Sequence, residues 1–246
     1  MKIEPNNLYL GDCLELMKDI DDKSIDMILC DLPYGTTQNK WDSIIPLDLL
    51  WLQYNRIIKN NGAIVLFAQI PFNIVLGYSN LKMLKYEWIW EKDKGTGHLN
   101  AKKMPMKAHE NIMVFYKKTP IYNPQFWESN PMNTVYKNGG GGNNYNDCAK
   151  VENKNINTTK RYPLDLIKFN TVNGQSKEKT IHPTQKPAGL FEYLIKTYST
   201  ENETVLDNCI GSGTTAIACK NVNRYFIGME KDETYYDIAC KRVENS

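Results

Sequence analysis

Apolar and polar positions fall into blocks that change period along the chain. Leu8–Leu10 reads as a short strand, and Cys13, Leu16, Met17 and Ile20 share one helical face, predicting a helix from Asp12 to Ile20. Ile25–Cys30 is a compact apolar run with a single polar break. Such a run predicts a strand buried on both faces, as in a parallel sheet. A helix is predicted from Leu47 to Ile58, closed by Asn60-Asn61-Gly62 with Gly62 as its C-terminal cap. Strands follow at Ala63–Phe67, Leu84–Trp90 and Asn111–Tyr116. After residue 180 the pattern predicts a helix at Ala188–Tyr198, a strand at Thr204–Asp207 and a helix at Gly213–Asn221. A strand at Tyr225–Gly228 and a helix at Asp232–Val243 complete it. Strands alternating with helices imply an α/β protein with a doubly wound, mostly parallel sheet. Phe67, Phe72 and the methionines read as core, and Trp41, Trp51 and Trp127 as packing residues.

Residues 117 to about 180 differ. They hold Asn123-Pro124, four consecutive glycines at 139–142, Asn143-Asn144 and few periodic apolar positions, which predicts a loop-rich insertion. A compact domain rarely carries so long a loop without a use for it. Charge sharpens the picture. The formal net charge of the 246 residues is only +2, yet residues 82–118 and 150–186 each carry +5, leaving −8 for the remainder. The basic middle suits a polyanion, because local charge attracts phosphates whatever the total; a solvated lysine-rich surface gives the same numbers. Mean hydropathy is −0.52 and no 18-residue apolar run occurs, so no membrane span is predicted. The first seven residues lack an apolar core, so no signal peptide is predicted. Six scattered cysteines without a C-x-x-C pair argue against a zinc site or disulfide scaffold and fit reduced thiols in a cytoplasmic protein.

Two segments carry candidate chemistry. Asp207-Asn-Cys-Ile-Gly211-Ser-Gly213-Thr-Thr-Ala216 lies between a predicted strand and a predicted helix. Its glycines allow a tight turn and close approach to a ligand, and the helix start offers free N–H groups. Glu230 stands at the end of the next predicted strand, where a carboxylate can accept from both hydroxyls of a ribose. The pattern suits a nucleoside-containing cofactor. The stretch from Glu230 to Ser246 is too short to form a second mononucleotide half, so a dinucleotide is not expected.

Asp31-Leu32-Pro33-Tyr34 follows the apolar run at 25–30 and should stand at the carboxyl edge of the sheet, where open α/β folds bind ligands. A nucleobase exocyclic amine is a poor nucleophile because its lone pair is delocalised into the ring. The Asp31 carboxylate and the Leu32 carbonyl can each accept one of its N–H groups, returning electron density to nitrogen and stabilising positive charge as it develops. Tyr34 offers a flat face to a base turned out of its helix, and Pro33 stiffens the turn. An ordinary surface turn would use the same residue types.

Together these motifs resemble those of the S-adenosylmethionine-dependent DNA amino-methyltransferases, which modify adenine N6 or cytosine N4. The order is Asp-Leu-Pro-Tyr, a variable basic middle, His182-Pro-Thr-Gln-Lys-Pro187, then the glycine turn, and it resembles the permuted beta class. The likeness covers residues 7–118 and 180–243. His182–Pro187 is its most specific piece, and Trp88-Ile-Trp90 through His109-Glu110 resembles the segment leading into target recognition.

The resemblance implies a Rossmann-like class I methyltransferase fold, permuted. Residues 1–118 would form its catalytic half, 119–180 a target-recognition insertion, and 181–246 its cofactor-binding half. It implies S-adenosylmethionine as cofactor, no metal, and double-stranded DNA as partner, on the nucleoid. It leaves room for a homodimer and for a companion restriction endonuclease. On matching positions, Asp31, Leu32, Pro33 and Tyr34 form the catalytic turn. Asp207, Gly211, Ser212, Gly213, Thr214 and Thr215 hold the methionine and ribose side, and Glu230 takes the ribose hydroxyls. Lys186 lies near the methionine carboxylate and Asp12 by the adenine amine, although Asp12 suits a helix N-cap equally well. Phosphate contacts are expected from Lys94, Lys102, Lys103, Lys107, Lys160 and Arg161; His98 and His109 read as surface or phosphate contacts. Two positions depart from the family pattern: Leu32 stands where it usually has proline, and Asn208-Cys209 where it often has Pro-Phe. Asp, not Ser, at the head of the turn points to adenine N6. Cytosine N4, RNA, a protein amide and a catalytically inactive DNA-binding relative are the alternatives.

Overall fold

The apolar run at 25–30 becomes β2 (Ile25–Asp31), with Ile25 through Cys30 all buried. Strand residues alternate in direction, so its two faces fill two cores. Ile28 and Cys30 pack with α1 (Cys13–Leu16), α2 (Leu47–Ile57) and α3 (Phe72–Ser79). Met27 and Leu29 pack with α4 (Ala188–Tyr198) and α5 (Thr214–Asn221). The computed structural model describes residues 2–36, 42–135, 154–172 and 185–246. The chain forms two compact units, Met1–Asn123 with Asp165–Ser246, and Pro124–Leu164.

The larger unit is built on one eight-stranded sheet. With β1 (Asn7–Leu10), β3 (Ile58–Ala68), β4 (Leu84–Thr96), β5 (Lys107–Phe115), β8 (Leu166–Lys168), β9 (Thr204–Asp207) and β10 (Tyr225–Glu230), its order is β1-β10-β9-β2-β3-β5-β4-β8. Every pairing is parallel except β3 with β5 and β4 with β5. The doubly wound α/β sheet inferred from the sequence is therefore present, with α6 (Glu233–Glu244) following β10. Tyr198 of α4 fixes the antiparallel side, since its hydroxyl accepts from Trp88 Nε1 at 2.6 Å and meets the Tyr86 hydroxyl at 2.7 Å. Among the described residues, no helix is long and apolar enough to cross a membrane.

The smaller unit holds β6 (Trp127–Val135) paired antiparallel with β7 (Lys154–Arg161). The segment read as loop-rich thus contains a β-ribbon, and β8 within it joins the main sheet beside β4. The four glycines at 139–142, Asn143, Asn144, Trp41 and Cys148 lie outside the described residues.

Several sequence expectations need correcting. The helix predicted over Asp12–Ile20 is one α-helical turn followed by a 3₁₀ turn at Met17–Asp19. Helix α3 lacked a readable period because Ile74, Val75 and Tyr78 are exposed beside buried Phe72 and Leu76. Trp51 is buried, but Trp127 is half exposed, its indole N–H donating to the Tyr162 carbonyl. Met104 and Met106 are likewise exposed. Gly62 does not cap α2: that helix ends directly into β3, and Gly62 lies within the strand. A Cβ there would stand 2.7 Å from the Asp26 carbonyl oxygen and from the Ile58 side chain, so the requirement is close approach at the register shift between β2 and β3. Gly62→Ala is expected to lower stability by about 1–3 kcal/mol, and exposed Asn61→Ala to change it by less than about 0.5 kcal/mol. Chemical denaturation checks this, and equal effects would contradict the close-approach reading.

Candidate active site

β9 and β2 lie side by side, but their connections leave in opposite directions, α5 carrying β9 to β10 and α2 carrying β2 to β3. Such a switch point opens a crevice beyond the carboxyl ends of the strands, where open α/β sheets bind ligands. Both motifs arrive there. Ile28 pairs with Leu206, so Asp31, ending β2, stands two residues, about 7 Å, beyond Asp207, ending β9.

At the tip of β2, the Tyr34 hydroxyl donates to Asp31 Oδ1 at 2.6 Å. Lys186 Nζ donates to Asp31 Oδ2 at 2.5 Å and lies 3.3 Å from Glu110 Oε2. Lys92 pairs with the other Glu110 oxygen. Lys186, Glu110 and Lys92 are 7%, 5% and 9% exposed, so these charges meet inside the protein. Burial opposes charge on Lys186, but Asp31 and Glu110 more than offset it and raise its pKa. Burial likewise opposes charge on Glu110, and Lys186 and Lys92 hold its pKa below the usual value. Burial and then the Asp31 charge push the Tyr34 phenol well up, keeping it a hydrogen-bond donor. Phe72 stacks on Tyr34 with centroids 5.4 Å apart, and Lys186 Nζ lies over the same ring at 5.9 Å. Leu32, which departs from the family pattern, is buried in the core with α2 and α3. Asp42 accepts from the Gly35 and Thr36 amides at 2.8 and 2.9 Å and closes the turn.

The glycine turn is braced from three sides. Glu230 accepts from the Gly211 amide at 2.9 Å and from the Asp232 amide at 2.8 Å, tying the turn to the end of β10. Asp207 accepts from the Cys209 amide at 3.1 Å and from the Thr215 hydroxyl, so its carboxylate serves the shape of the turn. Arg242 of α6 donates to the Ser212 carbonyl and hydroxyl and to the Thr214 hydroxyl at 3.1–3.2 Å. Gly213 combines φ of +84° with Ala239 atoms 3.3 Å from where a Cβ would stand; Gly211 has φ of +53° and open space there. Open space beside Gly211, the start of α5 and half-buried Glu230 leave a polar edge that suits a nucleoside.

Asn208 and Cys209 replace the expected Pro-Phe with polar packing. Asn208 is buried, accepts from the Tyr54 hydroxyl at 2.5 Å, and lies 3.5 Å from the sulfurs of Cys13 and Cys209. Asp12 is exposed and accepts from the Leu14 amide at 2.9 Å, the N-cap geometry, with Lys231 at 3.6 Å.

Lys94, Lys102, Lys103 and Lys107 are exposed on the larger unit, as are His98 and His109, and Lys107 Nζ lies 3.4 Å from Gln69 Oε1. In the smaller unit Lys160 is exposed, while the Arg161 guanidinium donates to the carbonyls of Asn130, Thr158 and Lys160. His182, Pro183 and Thr184 lie outside the described residues. Lys186, which alone reads as one more solvated lysine, is instead buried. Sequence reasoning missed Glu110, Lys92, Arg242 and Asp42 as parts of the site. The one available signal was a charged residue inside an apolar strand, at Glu110 before Asn111-Ile-Met-Val-Phe115.

Burial pushes the Asp207 carboxyl up to about 7, partly opposed by Thr215 and the Cys209 amide. The folded state therefore binds this proton more tightly than the unfolded chain. The resulting stability is full below pH 3.8 and is lost as pH rises through about 7. Asp207→Asn is expected to make the fall in stability across that window shallower, measured as denaturation midpoint against pH. An unchanged slope would contradict a buried, proton-retaining Asp207.

A family model described as DNA methylase, that of the N6/N4 methyltransferases, matches residues 25–241. Type II methyltransferase M.BglII of Bacillus subtilis is 33% identical over 253 residues, spanning 95% of this chain and 68% of that protein. Type II methyltransferase M.HindIII of Haemophilus influenzae is 25% identical over 297 residues, spanning 96% and 94%. The crystal structure of the M1.HpyAVI–SAM complex superposes with a TM-score of 0.64 at 26% identity, covering 96% of this chain and 98% of that one. The PvuII DNA methyltransferase, described as cytosine-N4-specific, superposes with a TM-score of 0.69 over 98% of this chain and 87% of its own, at 16% identity, a likeness of fold alone. The matched span runs from the start of β2 into α6 and takes in both turns and the switch point between them: this chain belongs to the N6/N4 DNA methylase family.

Proposed function

We propose that the chain methylates adenine N6 in DNA, on a base turned out of the duplex, with S-adenosylmethionine as methyl donor. The observation that carries the reading is the meeting of Asp31 and the glycine turn at adjacent strand ends, with Glu230 braced behind the turn. The aspartate at the head of the catalytic turn supports adenine over cytosine through the resemblance noted above.

S-adenosylmethionine, when bound, supplies a methyl group carried on a sulfonium. The protein does the rest. Glu230 would accept from the ribose hydroxyls, and Lys186 would offer a buried cation to the amino-acid carboxylate. Tyr34 offers its aromatic ring to the target base, and its hydroxyl fixes the Asp31 carboxylate. Asp31 and the Leu32 carbonyl accept the two amine hydrogens and stabilise the positive charge that grows on nitrogen as it gains the methyl group. The nitrogen, now carrying the methyl group, then releases one proton to solvent water. No covalent enzyme intermediate is needed, and positioning supplies much of the rate. Lys94, Lys102, Lys103, Lys107 and Lys160 supply ammonium groups for phosphates, so affinity for DNA falls steeply with salt.

Asp31→Ala is expected to lower DNA methylation by about two to three orders of magnitude without reducing cofactor affinity. Equal loss of both would make Asp31 a structural residue. Digesting methylated DNA to nucleosides and weighing them should give N6-methyldeoxyadenosine. N4-methyldeoxycytidine would overturn the adenine assignment.

A further inference from the structure

Asp31 must stabilise charge on a target amine, yet its own charge is already engaged. One oxygen holds the Tyr34 hydroxyl and the other holds Lys186 Nζ at 2.5 Å. An ammonium at contact distance cancels the field that a developing cationic amine would need. Lys186 is 7% exposed, so moving it to water would first uncover a buried charge. It needs another partner within reach, and Glu110 Oε2 is one. That oxygen lies 3.3 Å from Lys186 Nζ, is buried, and makes no aligned hydrogen bond among the described residues, while Lys92 pins the other oxygen. Among the described residues, two carboxylates and two ammonium groups balance there. A ligand carboxylate entering beside Lys186 upsets that balance and competes directly with Asp31.

We infer that Lys186 is an exchangeable cap on Asp31, and that Glu110, clamped by Lys92, is the positioning residue that holds the lysine when it leaves. The inference rests on the proposed reading, because the competing carboxylate is that of the cofactor's amino-acid end. Cofactor binding then uncovers the catalytic carboxylate, and Asp31 and the cofactor oppose each other through one ammonium group.

Calorimetric titration with S-adenosylhomocysteine tests this without turnover, because that product keeps the amino-acid carboxylate and carries no methyl to transfer. Asp31→Asn frees Lys186 and is expected to tighten binding by about fivefold or more, while Glu110→Gln, which removes the lysine's anchor along with a competing anion, is expected to tighten it less than Asp31→Asn does. On a Lys186→Met background the Asp31→Asn effect should vanish, a coupling that a merely structural role for Asp31 would not produce. Thermal melts check folding. Should Lys186→Met fail to fold, Lys186→Gln takes its place as the background, and its coupling with Asp31→Asn, at a side chain 25% exposed, decides. Unchanged or weaker binding by Asp31→Asn, or equal tightening with and without Lys186, would overturn the cap. If the unsubstituted protein methylates DNA and binds the product normally, that failure is the cap's alone. If it neither binds the product nor methylates DNA, the methyltransferase reading falls and the cap with it.

Discussion

Parallel pairing of β2 with β9 is the constraint from which the site follows. The two strands come from opposite ends of the sequence, yet Met27 meets Val205 and Ile28 meets Leu206 in register. Residues 27–29 and 205–206 are fully buried, so a slip of one residue would drive their apolar side chains into the wrong core. That register sets the offset between Asp31 and Asp207, and with it the distance between a catalytic turn and a cofactor turn that the chain encodes far apart. Helices α2 and α5 leave the pair in opposite directions and open the crevice that both turns line.

Around that crevice the protein buries more charge than its stability calls for. Removing one member of a buried pair leaves its partner's charge uncompensated, while the intact pair contributes little net stability. The Lys92–Glu110–Lys186–Asp31 chain therefore reads as a device for placing an ammonium and a carboxylate accurately. Asp207 is the contrasting case, a carboxyl with donors but no neighbouring cation among the described residues, and its proton is held accordingly. Tyr54 with Asn208 and Arg242 with Ser212 and Thr214 extend the same practice, bracing the turn by hydrogen bonds in place of the family's apolar packing.

What was legible in the sequence depended on whether the cause was local. The apolar run of β2, the periodicity of α4 and the strand–glycine–helix succession from Thr204 to Asn221 are local, and the structure has them where the pattern placed them. Helix α3 and strands β6 to β8 are not, because exposed apolar or largely polar residues blur any period. Gly62 looked like a cap since turns and caps are where glycine usually serves, and nothing near it in sequence announces the Asp26 carbonyl beside it. Lys186 resembled any surface lysine because its partners, Asp31 and Glu110, belong to remote segments of the chain. The motifs located the site, and the contacts that govern its electrostatics came from strands that no motif marks.

The most direct test of the central claim is a crystal structure of the chain with S-adenosylhomocysteine and a duplex containing a site it methylates. The account predicts the adenine out of the helix against Tyr34, its N6 within about 3 Å of Asp31, and Lys186 moved from Asp31 to the product's carboxylate. A base held away from Asp31, or a product bound away from Gly211 and Glu230, would contradict it.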